Sequence, residues 1–292
     1  MLGEFEAGAT IVLQALHHNW GPLADFCRRM EAALGEPVQA NAYFTPRSAQ
    51  GLAVHHDTHD VFVLQVAGKK HWRVYEPVVE LPLQGQTYSK AKHGDTGPPV
   101  ENGVLEAGDT MYLPRGWLHD ALTTDSESLH LTIGVKVYTW LEAAQAALAE
   151  CGDELGFRRS VAADGGVRDD LLSVLAERLS PTDVARRKRE RFVRGRRPVR
   201  EGQLSQLRAV EELAVDTPIE RRPTAIAELD FPRLSFEGKT VTFPEHVEAD
   251  VEFIVDAEGE FRAAELPGDL DDEGRLVLVR RLVREGFLRI QA

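Results

Sequence analysis

Over the first half of the chain, apolar and polar positions alternate in short runs that break on Gly, Pro or a Gly-Asp pair. Such a pattern predicts half-buried strands joined by turns. Residues 8–17 read as a buried strand, 38–45 as a second and 61–66 as a third, with a turn at Gly68 and a further strand from Trp72 to Tyr75. One helix interrupts them. Pro22 to Leu34 is amphipathic, with Pro22 near its first turn and Gly35 just past its end, the usual start and stop signals. A turn over Pro46–Gly51 leads into a strand carrying His55. A short strand after Gly108-Asp109 reaches a second turn at Pro114-Arg115-Gly116, His119 opens the strand after it, and 128–137 closes the region. Between them, about Pro82 to Gly103 is rich in Gly, Pro and polar residues. A loop of that length commonly covers a binding site, so it is expected to be a lid. Many short strands and few helices describe a double-sheet jelly roll, a double-stranded β-helix.

From Trp140 the period becomes helical, over 141–150, 168–179 and 182–193. This section holds the most basic stretch of the chain, 186–197. A solvated helix face pairing with the many carboxylates is favoured there over an RNA contact. Beyond Pro218 short strands return at 233–236 and 240–243, followed by helices at 248–255 and 272–285 and a last strand at 287–290. The expected organisation is α+β: a catalytic domain over 1–139, a helical region over 140–215 and a small winged-helix-like module over 216–292.

Composition narrows the function classes. Hydrophobic content of 43% and charged content of 28% are those of an ordinary globular protein of 292 residues. A net charge of -13 argues against a general nucleic-acid binder, and the acid-rich C-terminal module would repel phosphates, so direct DNA binding is not expected. Cys27 and Cys151 stand far apart, without metal-ligand spacing, which points to a reducing compartment and no disulfide. No leader-like N-terminus and no membrane span is recognised, so a cytoplasmic location is expected.

The chemistry starts from His55 and Asp57. On a strand, residues two apart share a face, so an imidazole and a carboxylate converge while His56 points away. One more imidazole would complete a three-ligand face that leaves the opposite positions of a divalent metal open. His119 and His130 compete for that place. A bidentate 2-oxo acid and dioxygen would fill the open positions, and the distal carboxylate of such a cosubstrate needs a cation, for which Lys69, Lys70 and Arg73 are candidates.

The runs 41–46 and 51–75, together with Gly108–His119, resemble the JmjC ribosomal oxygenases, which are cupin-like Fe(II)- and 2-oxoglutarate-dependent protein hydroxylases. The likeness is specific over 8–137 and looser over the helical region and acidic tail. It implies His55, Asp57 and His119 as catalytic iron ligands, and Lys70 as partner of the distal carboxylate of 2-oxoglutarate. Asn41, Tyr43 and Thr132 would line the cosubstrate and substrate pocket. It further implies O2 as co-reactant, a ribosomal protein substrate with an Arg or His target, a homodimer formed through the helical region, and further N-terminal structure ahead of the matched segment. Gly134 departs from the pattern, standing where some relatives carry a polar pocket residue. The same chemistry on a peptide or small molecule of specialised metabolism is the first alternative. A non-catalytic cupin-like binding or assembly module is the second, and a metal enzyme working without a keto acid the third.

Overall fold

The computed structural model describes residues 2–161, 168–198 and 202–291. The chain divides into two compact units, Met1–Val137 and Tyr138–Ala292. In chain order the first unit comprises α1 (Leu2–Glu6), β1 (Ile11–Leu13), α2 (Gly21–Leu34), β2 (Val38–Thr45), β3 (Asp60–Tyr75), α3 (Lys90–His93), β4 (Glu101–Glu106), β5 (Thr110–Leu113), β6 (Leu118–Leu122) and β7 (Ser128–Val135). The strands pair antiparallel in the order β1-β2-β7-β3-β4, with β5 and β6 also on β3.

Strand β3 is the spine of this unit. Its first half pairs with β7 and β5, its second half with β4 and β6, so one strand serves both layers. Where sequence alone predicts a turn at Gly68, the strand instead continues through a bulge between Gln65 and Ala67. Gly68 has φ +64°, and a Cβ there would meet the Glu127 carbonyl oxygen at 1.8 Å. Only glycine fits a left-handed kink that close to another backbone, and the kink redirects the strand from one sheet into the other.

Side chains alternate across β3 as the pleat requires. Val61 and Val63 face inward with Trp72, Val74, Leu113 and Ala121, while Phe62 and Leu64 face outward. There they pack with Leu23 and Cys27 of α2, Val38 and Ala40 of β2, and Ile133 of β7. Helix α2 ends at Gly35, whose φ of +66° lets its N–H reach the Glu31 carbonyl.

Two expectations need correction. The strand expected over 8–17 is only Ile11–Leu13, an edge strand with one neighbour, on which Val12 and Leu13 are exposed. It stops because Ala15 turns left-handed (φ 51°) and hands its N–H to Asn41 Oδ1 at 2.9 Å. The stretch 82–103 is not all irregular either: α3 is capped by Ser89, and Glu101–Gly103 belong to β4, paired with β3.

The second unit comprises α4 (Trp140–Glu150), α5 (Asp169–Arg178), α6 (Pro181–Arg194), α7 (Gln203–Ala209), β8 (Ile219–Arg221), β9 (Ala227–Asp230), β10 (Arg233–Phe236), β11 (Lys239–Thr242), α8 (Glu248–Asp256), β12 (Glu260–Phe261), α9 (Asp272–Glu285) and β13 (Leu288–Ile290). Thr139 and Glu142 form a capping box on α4, and Ser180 followed by Pro181 starts α6. Two small antiparallel sheets, β9-β10-β11 and β12-β8-β13, share a core with α8 and α9 through Ile219, Leu234, Phe236, Ile254, Leu282 and Phe287. Arginines of the basic stretch are tied to carboxylates. Arg186 bonds Asp183 and Glu190, buried Arg187 makes a bidentate pair with Glu150, and Arg191 bonds Glu142. Among the described residues no helix is long and apolar enough to cross a membrane.

Candidate metal centre

His55 lies outside the named strands. It meets His119, the second residue of β6, in a single antiparallel bridge closed by two backbone bonds: His55 N–H to His119 O at 3.1 Å and His119 N–H to His55 O at 2.8 Å. Asp57 is fixed through its carbonyl, which accepts from the Gly116 N–H at 3.0 Å. The convergence expected of a strand is thus achieved by one bridge and one loop bond. His55, Asp57 and His119 each offer a ligand atom, all within 4.8 Å of one another. The His119 Nε2 to Asp57 Oδ2 separation is 3.8 Å, and the two imidazole centroids are 4.4 Å apart.

The donor chemistry suits a divalent cation. His55 Nδ1–H donates to the Ala53 carbonyl at 2.8 Å and His119 Nδ1–H to the Trp117 carbonyl at 3.0 Å. Those bonds fix both tautomers and leave each Nε2 lone pair free to ligate, the outer-shell arrangement usual for metal-binding histidines. Burial, and after it the neighbouring His55, push the His119 pKa well below its ordinary value, so the ring is neutral as a ligand must be. Two imidazoles and one carboxylate on one face match the open non-haem Fe(II) set.

The triad opens on a cavity of about 630 Å³, its mouth included, lined among others by Asn41, Tyr43, His59, Lys70, His130 and Thr132. Asn41 and Thr132 face each other across β2 and β7, as do Tyr43 and His130. Tyr43 is held neutral, burial raising its pKa first and the Asp57 charge adding to it. His130, the competitor for third ligand, is not in the metal cluster; it lies stacked on Tyr43, centroids 4.9 Å apart and planes 3° apart.

The cations sort cleanly. Lys69 is half-buried and bonds Asp125 at 3.2 Å, whereas Arg73 is committed to a bidentate bond with buried Asp120. Lys70 is 4% exposed, and its ammonium donates to Thr45 Oγ1 at 2.9 Å. Among the described residues no carboxylate pairs with it, and burial lowers its pKa to about 8. A buried ammonium facing a cavity without a counter-charge is a place for an anion.

His59 was missed by sequence reasoning. Taken alone it has no partner at ligand spacing and reads as a packed or surface histidine, yet it lines the cavity. The signal was available in Gly134, on which a Cβ would sit 2.5 Å from the His59 ring. The glycine on β7 is the space that the ring occupies. Gly134→Ser is expected to displace His59 and lower turnover of the native substrate about tenfold while sparing metal affinity, since each good side-chain contact to a bound group is worth on the order of 1 kcal/mol. Steady-state kinetics beside a metal titration would check it; unchanged turnover would remove His59 from the substrate wall. The expected lid is not seen in this role, because no residue of 82–103 lines the cavity.

An antiparallel double-stranded β-helix bearing a His-x-Asp…His face defines a cupin-type metalloprotein. Residues 15–143 match the family model for the JmjC domain. It is 43% identical over 112 residues to the bifunctional lysine-specific demethylase and histidyl-hydroxylase NO66 of Drosophila persimilis, a match that covers 38% of this chain and 16% of that protein. It is 34% identical over 168 residues to ribosomal oxygenase 1 of Homo sapiens, covering 55% of this chain and 26% of the relative. The chain thus spans only a minor part of the length of these curated relatives. Among solved structures, the ribosomal oxygenase YcfD of Escherichia coli in complex with cobalt and 2-oxoglutarate superposes with a TM-score of 0.59 at 16% identity, covering 97% of this chain and 78% of that one. That likeness is one of fold.

Proposed function

We propose that this protein is an Fe(II)- and 2-oxoglutarate-dependent oxygenase that hydroxylates a side chain of a ribosomal protein. The single observation that carries the reading is the pairing, in one cavity, of an open His55-Asp57-His119 face with the buried, uncompensated Lys70. His55, Asp57 and His119 would hold the metal, and Lys70 would receive the distal carboxylate of the keto acid. When bound, metal and cosubstrate supply the oxidising chemistry, in which one oxygen atom of O2 goes into succinate as CO2 leaves and the other into a C–H bond of the target. The protein's own residues do the rest. The backbone bridge at His55 and His119 holds the ligands in register, and the Nδ1 bonds keep each Nε2 unprotonated. Inward Val61, Val63 and Trp72 keep the wall apolar, while Asn41, Tyr43 and Thr132 offer polar positions along it.

Either arginine or histidine is compatible with the relatives' names, and the charges of the wall favour histidine. The carboxylates lining the cavity are Asp57, assigned to the metal, and Asp120, already bonded by Arg73, Tyr75 and Gln50. Among the described residues none is left to pair with a guanidinium, which would be costly to bury alone. The net charge of -13 suits a basic protein partner. Aerobic incubation with Fe(II), 2-oxoglutarate and ribosomal proteins tests the proposal through succinate and intact mass. Succinate with a gain of one oxygen on one protein supports it; succinate without that gain moves the substrate to a peptide or small molecule; no succinate returns the chain to a binding role.

We also read the helical region as a dimerisation element and the C-terminal part as a winged-helix-like module. Trp140, Leu141 and Leu148 of α4 are all exposed, an apolar stripe on a helix whose other side is buried through Ala143 and Ala147. Trp140→Asp combined with Leu148→Asp is expected to convert a dimer to a monomer in light scattering without unfolding either unit. A wild-type monomer at micromolar concentration would end this reading.

A further inference from the structure

The segment that joins His55 to Asp57 is held from two sides. On the cavity side, backbone bonds tie His55 to His119 and the Asp57 carbonyl to the Gly116 N–H. On the far side stands His56, 8% exposed and not part of the cavity lining. Its Nε2 lies 2.8 Å from the Gln86 carbonyl oxygen, which can only accept, so Nε2 carries a proton and donates it there. Gln86 is itself fixed: its N–H donates to the Leu83 carbonyl at 3.0 Å, and its Oε1 accepts from the Leu83 N–H at 2.7 Å. The same segment reaches the ligands a second time. A Cβ on Gly116 would meet Pro82 Cδ and the Val79 carbonyl oxygen, each at 2.9 Å, so 79–82 packs directly on the residue that bonds Asp57. Leu81, exposed between them, takes φ 43°, a left-handed conformation that a leucine keeps only where its surroundings impose it.

Stability alone does not account for this contact. The ring makes one hydrogen bond but leaves Nδ1 sealed from solvent with no partner among the described residues, and a buried acceptor left unmet costs about as much as one bond contributes. The consequence of the bond is therefore one of position. His55 and Asp57 must present their donor atoms together, and a shift of the chain at His56 moves both. We propose that His56 is a positioning residue of the metal centre, bracing the ligand-bearing loop from behind against segment 79–86. The inference rests on the metal reading above and goes beyond it by giving a role to a segment outside the cavity wall.

Calorimetric titration of Mn(II) into the intact chain, beside a thermal melt of each variant, tests it. His56→Phe keeps an aromatic ring and removes the donor. It is expected to weaken Mn(II) about tenfold while melting cooperatively close to the parent, since outer-shell partners of a metal site are worth roughly 10- to 100-fold in affinity. His56→Gln, whose amide restores a donor, is expected to recover most of that loss, which a role in packing alone would not produce. Gln86→Ala releases the turn that presents the carbonyl and is expected to weaken Mn(II) severalfold. Combined with His56→Phe it should add nothing further, as two halves of one contact do. Unchanged Mn(II) affinity in His56→Phe, equal loss in His56→Phe and His56→Gln, or full additivity with Gln86→Ala would each overturn the inference. If His56→Phe does not fold, Gln86→Ala decides alone, unchanged affinity again overturning it. A wild-type protein that binds no Mn(II) would sink the metal reading itself, a result distinct from a loss in the variants.

Discussion

Replacing His55, Asp57 or His119 by alanine is expected to abolish succinate formation and to lower affinity for a divalent metal by well over roughly a hundredfold, since even outer-shell partners of a metal site are worth 10- to 100-fold. Each residue would supply one of the three donors of the proposed site, and two donors on a flat face hold a divalent ion too weakly to survive competition from water. The bridge at His55 and His119 is made by backbone atoms, so the variants retain the strand register and fold as the parent does. Calorimetric titration of Mn(II), a redox-inert stand-in, separates metal loss from misfolding. His130→Ala is the control, because that ring is outside the ligand cluster and its loss is expected to leave Mn(II) affinity intact. Persistent turnover in both His55→Ala and Asp57→Ala would defeat the assignment.

Much of this site was legible because the relevant spacing is short and the chemistry specific. His55 and Asp57 announce themselves by type and separation, and Lys70 is separated from Lys69 by the alternation of a strand, one side chain facing in and the next out. Choosing His119 over His130 from residue pattern alone was not possible. His130 alternates with Leu129 and Leu131 as an inward residue would, and what favours His119 is a backbone bridge to a segment more than sixty residues away in sequence, which no local period encodes. His59 was illegible for a similar reason: its place depends on an empty volume at Gly134, a residue whose significance is the absence of a side chain. In the fold, helix limits such as Asp272–Glu285 follow from caps that are local, Asp271 before and Gly286 after. Gly68 misled because a bulge and a turn use the same left-handed glycine, and only the partner strands decide between them.

Lys70→Met is expected to separate function from stability more sharply than any other change. Losing the cation should weaken 2-oxoglutarate by about a thousandfold, within the range found when one partner of a buried, hydrogen-bonded charge pair is removed. Binding of 2-oxopentanoate should be little affected. The unliganded protein should nevertheless become more stable. Burial lowers the Lys70 pKa from the ordinary 10.5 to about 8, so the folded state holds its proton less tightly than the unfolded chain. Below pH 8 both states are protonated and the fold bears the whole cost of the buried charge, about 3 kcal/mol at 1.36 kcal/mol per pH unit. Between pH 8 and 10.5 the unfolded state binds more protons, and wild-type stability attributable to this group rises with pH. Methionine fills a similar volume without charge, so the melting temperature of Lys70→Met should exceed that of the parent by several degrees at pH 7, with the advantage shrinking as pH rises toward 10.5. Added 2-oxoglutarate should reverse the order, raising the parent's melting temperature and leaving the variant's where it was. A variant that melts below the parent at pH 7 would mean that Thr45 and the cavity already compensate the ammonium, and the anion site would lose its main support.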